Sequence, residues 1–373
     1  MKKIIVISSF TKSLVLFRLD LLKSFVANGF QVYALGPDYD ENTKDILESN
    51  GIIFINYNLE RNGINLVKDF KTIVQLRKIF KRIKPDIILP YTVKPVIYSN
   101  LAKKGLSIKS LNWITGLGYY GMVSNDFKSK ISKSIMTFLY KFAFSKNDTI
   151  IFQNNDDLNF FKKKNILKNH KYDITPGSGI NLDEFEFTIP DSQPIVFVFV
   201  ARLLISKGIK VFTIAAEKLK PKYCNNVRFI AVGGLDENNP DAISQQEVNI
   251  LKSTNIVEFT GQTNDVKKYL KKSSVFVLPS MYREGVPHSI LEALAVGRAI
   301  ITTDNVGCRE TVIKDYNGFL VEMNNVHQLV AAMEDFIQNR DMIKTFGNNS
   351  RKLAEDKFDV KIVNKIINNN INN

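Results

Sequence analysis

The 373-residue sequence predicts an α/β protein built from two Rossmann-like, doubly wound domains facing across a cleft. Three observations predict it. Short apolar, β-branched runs alternate with longer amphipathic stretches, which is the pattern of parallel strands joined by crossover helices. The alternation occurs twice, interrupted by residues 176–194, which hold Pro176, Gly177, Gly179, Pro190 and Pro194. The length suits two domains of about 100–200 residues each. The expected divisions are 1–185 and 186–356, followed by a C-terminal helix with a fraying tail over 357–373.

In order, strand 3–8 leads to a helix over 13–28 that stops at Gly29, then strands 30–35 and 52–57 with helices 41–49 and 65–83. Strand 86–90, helix 95–104, strand 108–114, helix 128–145, strand 149–152 and helix 155–164 complete the first series. The second opens with strand 195–200 and helix 209–220. Strand 227–232, helix 242–253, strand 256–259, helix 264–271 and strand 274–278 follow. Helix 289–296 ends at Gly297, where a C-cap belongs. Strands 299–302 and 318–321 and helices 326–338, 341–356 and 359–369 close the chain.

Two cysteines, Cys224 and Cys308, give no disulfide framework and fit a reducing cytosol. The opening Met-Lys-Lys-Ile-Ile-Val-Ile reads as a first strand rather than a leader peptide, because Lys12 and Arg18 follow a short apolar stretch with no small-residue cleavage site. No run reaches the ~18 apolar residues of a membrane span. The formal charge of +14 is unevenly placed: residues 1–190 hold 28 basic against 17 acidic side chains, the remainder 23 against 20. A basic first half suits a phosphorylated ligand or an anionic membrane surface. Nucleic acid is not expected, since no reader motif or interleaved aromatic platform accompanies the charge.

The chemistry centres on residues 279–292, where a buried strand, a glycine-containing loop and a helix follow one another. That order places backbone N–H groups and a helix start at the carboxyl edge of a sheet, where open α/β folds bind ligands and phosphates sit well. Glu284 and Glu292 flank the turn with seven residues between them, and a carboxylate accepts hydrogen bonds from vicinal hydroxyls of a sugar or ribose. Arg202 and Lys207 follow the strand that opens the second series. A guanidinium fork and a mobile ammonium beside a helix N-terminus suit a diphosphate.

Glu284-Gly285-Val286-Pro287 followed by Leu291-Glu292-Ala293 resembles the E-x7-E signature of the GT-B retaining glycosyltransferases, family 4 in particular. Ala201-Arg202, Lys207-Gly208 and the Gly-x-x-x-D-V loop at Gly261 resemble the same family. So do Phe17-Arg18, Thr92 to Tyr98, Trp113 to Tyr119 and Gly307 to Thr311, so that the resemblance spans nearly the whole chain. It is nearest to bacterial undecaprenyl-diphosphate-sugar glycosyltransferases, including the α-1,3-N-acetylgalactosaminyltransferase type. The resemblance implies a retaining transfer of a sugar, an N-acetylhexosamine such as GalNAc, from a UDP-sugar to a lipid-diphosphate-linked saccharide, with no metal and no cofactor. It implies catalytic roles for Arg202, Lys207 and Glu284. The donor pocket would also include Gly261, Leu278, Pro279, Ser280, Gly285, Val286, Pro287, His288 and Glu292. The acceptor would meet Arg18, Lys94, Thr115, Gly116 and Gly118, and the last helix would pack back on the first domain. The protein would work in the cytoplasm, peripherally on the inner face of the bacterial cytoplasmic membrane.

Several features depart from that pattern or compete with it. The first-domain histidine of many family 4 members is absent from Tyr91-Thr92-Val93-Lys94, and only His288 of the three histidines lies in a motif. His288 either meets the donor or lies on the helix surface. Gly116-x-Gly118-x-x-Gly121 matches the dinucleotide fingerprint literally, but it follows the fifth strand and no helix opens from it, so it reads as a cleft-lining loop. Asp38-Tyr39-Asp40 spells a metal-binding D-x-D yet sits in a turn, as solvated turn residues. Helix 128–145 mixes lysines with Phe138, Phe142 and Phe144, and fits either a bilayer surface or an ordinary domain helix. A UDP-sugar 2-epimerase, or a transferase with a different donor and acceptor, is the alternative; an epimerase needs cleft histidines and carboxylates, and the chain is poor in histidine.

Overall fold

The computed structural model describes residues 1–61, 63, 65–117, 127–168, 170–236, 239 and 241–372. The chain forms two compact units, Met1–Gly179 with Val360–Asn373, and Ile180–Asp359. The crossings therefore fall at 179/180 and 359/360, against 185/186 and 356/357 in the sequence reading.

The first unit holds a seven-stranded parallel sheet in the order β3-β2-β1-β4-β5-β6-β7. Its strands are β1 (Lys3–Ile7), β2 (Gln31–Gly36), β3 (Ile52–Asn56), β4 (Ile87–Pro90), β5 (Lys109–Ile114), β6 (Thr149–Phe152) and β7 (Lys171–Ile174). Strands β1, β4 and β6 read as near-continuous apolar runs because helices cover both faces. One face carries α4 (Leu66–Ile83), α5 (Val93–Ala102), α6 (Phe127–Ala143) and α7 (Asn155–Lys163), joined in one apolar cluster. The other carries α2 (Leu19–Ala27) and the last helix, α14 (Val360–Asn372), whose Val363 and Ile367 share a core with Leu22 and Phe25.

Three differences from the sequence reading have local causes. The single helix expected over 13–28 is broken into α1 (Ser13–Leu16) and α2, because Phe17 and Arg18 leave helical geometry and the Arg18 guanidinium donates to the Phe17 carbonyl at 2.8 Å. Strand β7 was not anticipated: Lys171-Tyr172-Asp173-Ile174 is a half-exposed edge strand with no apolar run to betray it. The tail does not fray at 368, since α14 continues to Asn372. The Asn370 amide donates to Asp173 at 2.7 Å, and the Lys109 ammonium donates to the Ile371 carbonyl at 3.2 Å. Expected residue Gly118 lies outside the described residues, as does Gly121. Asp40 caps α3 (Glu41–Ser49) by accepting from the Thr43 N–H at 3.0 Å, so the D-x-D is part of a helix cap.

The second unit holds a six-stranded parallel sheet, β10-β9-β8-β11-β12-β13. Its strands are β8 (Ile195–Val200), β9 (Val227–Val232), β10 (Val257–Gly261), β11 (Val275–Leu278), β12 (Ala299–Thr303) and β13 (Gly318–Val321). The helices are α8 (Ile209–Tyr223), α9 (Gln245–Ser253), α10 (Val266–Lys271), α11 (His288–Val296), α12 (Val326–Gln338) and α13 (Asp341–Leu353), around a single apolar core. Strands β8 and β11 are neighbours in register, Val275 beside Phe197 and Phe276 beside Val198. The loops that follow them therefore emerge side by side at the carboxyl edge. No described helix is long and apolar enough to cross a membrane.

Candidate active site

Residues 201–208 leave β8 and residues 279–287 leave β11. Between them, Ile205–Lys207 forms one 3₁₀ turn and Gly208 opens α8 at φ +86°. A Cβ at Gly208 would stand 2.1 Å from the Pro279 carbonyl oxygen, so glycine is what lets the two loops touch. Ser206 ties them: its carbonyl accepts from the Met281 N–H at 2.7 Å and the Tyr282 N–H at 3.1 Å. Its own N–H donates to the Asp241 carboxylate at 3.0 Å.

This contact brings Lys207 and Glu284 together across 77 residues of sequence. The Lys207 ammonium donates to the Glu284 carboxylate, which also accepts from the Ser280 hydroxyl at 3.2 Å. Both side chains are sheltered, at 16% and 11% exposure, yet reachable. The ammonium also stands 5.4 Å from the centre of the Tyr282 ring. Behind the loop, Gly307 has φ +79°, and a Cβ there would lie 2.1 Å from the Gly285 carbonyl oxygen. The Gly307-Cys308-Arg309 segment thus supports the loop by close backbone approach. Cys308 is fully buried there, and burial with the nearby Glu284 charge pushes its thiol up to about 12, so it is an inert packing group.

Arg202 lies beside Lys207 in sequence but is half-exposed, and it pairs with Asp236 beyond β9. Glu292 sits in the second turn of α11, with His288 one turn before it at 3.7 Å. Burial, reinforced by the Glu184 charge and opposed by Lys267, pushes the Glu292 carboxyl up to about 8. Gly261 ends β10 at φ +76°, and its carbonyl accepts from the Gly233 N–H at 3.1 Å. It lines a surface pocket of about 270 Å³ with Leu203, Gly234, Phe259 and Gln262. Leu278, Gly285, Val286 and Pro287 are buried, so backbone is what they can offer a ligand.

At the carboxyl edge of the first sheet, Arg18 is 3% exposed, its guanidinium 3.9 Å from the Trp113 ring and 4.8 Å from the Tyr91 ring. No carboxylate pairs with it among the described residues, and its Nε has no hydrogen-bond partner. Burial lowers it to about 10, which leaves it charged at neutral pH. Thr115 and Gly116, half-buried, follow β5 at this same edge. Lys94, in the first turn of α5 after β4, is engaged by Asp69 at 3.2 Å and the Glu60 carbonyl at 2.7 Å. Among the described residues no group of three or more His, Cys, Asp or Glu side chains gathers as a metal site would require.

The residues missed from sequence were Ser206, Asp236 and Asp241. The signal was available: the sequence after β9, the strand beside β8, is acidic and rich in turn formers, and topology brings Asp236 and Asp241 to the same edge.

Two all-parallel, Rossmann-like units with a cation–carboxylate pair at the carboxyl edge of the second follow the plan of GT-B glycosyltransferases. Solved structures agree on the fold. The Anabaena protein Alr3699/HepE in complex with UDP superposes with a TM-score of 0.78 at 18% identity over 100% of both chains. The sucrose-phosphate synthase of Thermosynechococcus elongatus reaches 0.81 at 18% identity over 99% of this chain and 98% of that one. Residues 182–353 match the family of group 1 glycosyl transferases and residues 4–154 the glycosyl transferase 4-like family, so the chain belongs to these glycosyltransferases. It is 29% identical, over 91% of its length and 90% of the relative's, to the N,N'-diacetylbacillosaminyl-diphospho-undecaprenol alpha-1,3-N-acetylgalactosaminyltransferase of Campylobacter jejuni. It is 27% identical, over 86% and 84%, to the UDP-Gal:alpha-D-GlcNAc-diphosphoundecaprenol alpha-1,3-galactosyltransferase of Escherichia coli.

Proposed function

We propose that this glycosyltransferase moves a sugar, an N-acetylhexosamine such as GalNAc, from a UDP-sugar to a saccharide on undecaprenyl diphosphate, with retention at the anomeric carbon and without a metal ion. The observation that carries the reading is the meeting of Lys207 and Glu284 at the carboxyl edge of the second sheet, one residue ahead of the α8 N-terminus. An ammonium, the Arg202 guanidinium and a helix start supply the positive charge that a departing diphosphate needs. Glu284 would take the sugar hydroxyls and Glu292 the ribose, with the base beside Gly261. Backbone N–H groups at Gly285 and Val286 would add donors. The anomeric C–O bond to the diphosphate breaks, the acceptor hydroxyl oxygen bonds to that carbon on the same face, and its proton passes to the departing phosphate oxygen.

The two relatives act on diphospho-undecaprenol sugars by name, and the buried Arg18 cation, lacking a carboxylate, suits an acceptor phosphate beside Thr115 and Gly116. A lipid-linked acceptor places the work at the inner face of the cytoplasmic membrane. The test is a panel of UDP-sugars against undecaprenyl-diphosphate saccharides, with product linkage read by NMR. Transfer from UDP-N-acetylhexosamines with α-configured product supports the proposal. UDP-sugar turnover with no acceptor present would favour an epimerase instead.

A further inference from the structure

We propose that Asp236 competes with the nucleotide diphosphate for the Arg202 guanidinium and so sets how tightly the spent UDP is held, an inference that rests on the donor-site assignment above. The two cations assigned to the diphosphate are held differently. Lys207 is sheltered and sits with Glu284, a carboxylate that also holds the Ser280 hydroxyl. Arg202 donates through Nη1 to Asp236, and both side chains reach water, at 47% and 29% exposure. A pair exposed to this degree is weak and screened by salt, so an incoming anion can take the guanidinium. Asp236 keeps a neutral partner when that happens, because the Asn239 Nδ2 donates to the same carboxylate oxygen at 3.4 Å. Opening this pair therefore strands no buried charge, whereas opening Lys207–Glu284 would.

Backbone pairing keeps the Asp236 carboxylate beside Arg202 whether or not the pair is closed. Strands β8 and β9 end side by side, with Val200 opposite Val232. The chain after β9 is stapled, on both sides of Asp236, to the loop that carries Arg202. The Leu203 N–H donates to the Gly234 carbonyl at 3.1 Å and the Ile205 N–H to the Asp241 carbonyl at 2.8 Å. The Ile243 N–H returns to the Leu203 carbonyl at 3.2 Å. The Asp236 carbonyl itself accepts from the Asn239 N–H at 2.7 Å, which fixes its backbone in a turn. Only the Arg202 side chain has to move. Asp236 is then a fixed anion next to the place where a second anion binds, and its opposition grows with the charge of that ligand. UDP released by transfer carries about one more negative charge than a UDP-sugar, because its terminal phosphate ionises a second time near neutral pH. Asp236 thus bears harder on product than on donor and helps to clear the site between turnovers.

The test is calorimetric titration of UDP and of UDP-GalNAc into the parent, Asp236→Asn, Asp236→Glu, Arg202→Ala and the double variant Asp236→Asn with Arg202→Ala. Asp236→Asn should bind UDP up to about fivefold more tightly than the parent, and UDP-GalNAc more tightly by a smaller factor. Asp236→Glu, which keeps the charge, should bind UDP as the parent does. The gain should shrink at high salt and vanish in the Arg202→Ala background, with melting temperatures unchanged. Weaker UDP binding by Asp236→Asn overturns the inference, since Asp236 would then be holding Arg202 ready for the ligand. Unchanged binding overturns it too, as does an equal gain in the Arg202→Ala background, where only the general field of the carboxylate could act. Loss of UDP affinity in Arg202→Ala without a gain in Asp236→Asn sinks this inference alone. Parent-like UDP binding by both Arg202→Ala and Lys207→Met sinks the donor-site assignment beneath it.

Discussion

Replacing Lys207 with methionine keeps the length of the side chain and removes its charge, and the structure sets two separate expectations for Lys207→Met. Glu284 keeps the Ser280 hydroxyl at 3.2 Å but loses its cation while 11% exposed. Breaking a fully buried pair costs about 3–5 kcal/mol, because the surviving charge is left uncompensated. Residual water access and the Ser280 bond reduce this to roughly 1–3 kcal/mol here. Turnover should fall about 10²–10³-fold, the usual loss for one well-placed donor to a developing anion. The double variant Lys207→Met with Glu284→Gln separates the two effects. It removes the stranded carboxylate, so denaturant unfolding should show most of the stability restored while initial-rate assays still show the activity lost. If activity returned together with stability, Lys207 would be a structural partner of Glu284 and not a ligand of the donor.

Other expectations follow from the same geometry. Glu292→Gln should gain thermal stability over the parent as pH rises. The native carboxyl holds its proton to about pH 8 whereas the unfolded one loses it near 4.5, so the parent loses stability across that window and is flat above it; melting curves from pH 5 to 9 check the sign. Gly208→Ala meets both a positive φ and the Pro279 carbonyl, and should cost about 1–3 kcal/mol while raising the KM for donor. Asp241→Ala frees the Ser206 turn and should lower kcat by about tenfold, with Asp241→Asn recovering part of it because its amide oxygen can still accept from the Ser206 N–H. Activity should survive EDTA, since Arg202, Lys207 and the α8 N-terminus carry the diphosphate charge; loss restored by a divalent cation would contradict that.

The fold was legible because both sheets are parallel and buried. A strand such as Ile195-Val196-Phe197-Val198-Phe199-Val200 has to be apolar at every position, and this writes it plainly into the sequence. Strand β7 shows where that signal stops, because an edge strand that keeps Lys171 and Tyr172 in water needs no such run. The helix break at Phe17-Arg18 escaped for a different reason: helical periodicity persists across it, and the interruption depends on where a guanidinium finds its carbonyl. In the site, the spacing of Glu284 and Glu292 and the positions of Arg202 and Lys207 just after the strand that opens the second series were readable, because loops after neighbouring strands must emerge together. The Lys207–Glu284 contact, the Arg202–Asp236 pairing and the Ser206–Asp241 tie were not. They depend on sheet order, which brings residues from the loops after β8, β9 and β11 into reach of one another.

The most direct test is a crystal structure of the protein soaked with UDP. The diphosphate should lie against Lys207 and Arg202 at the start of α8, the ribose at Glu292 and the uracil beside Gly261, with Arg202 drawn away from Asp236. A nucleotide bound at the first sheet, or in the second unit without contact to Lys207, would contradict the assignment of the donor site.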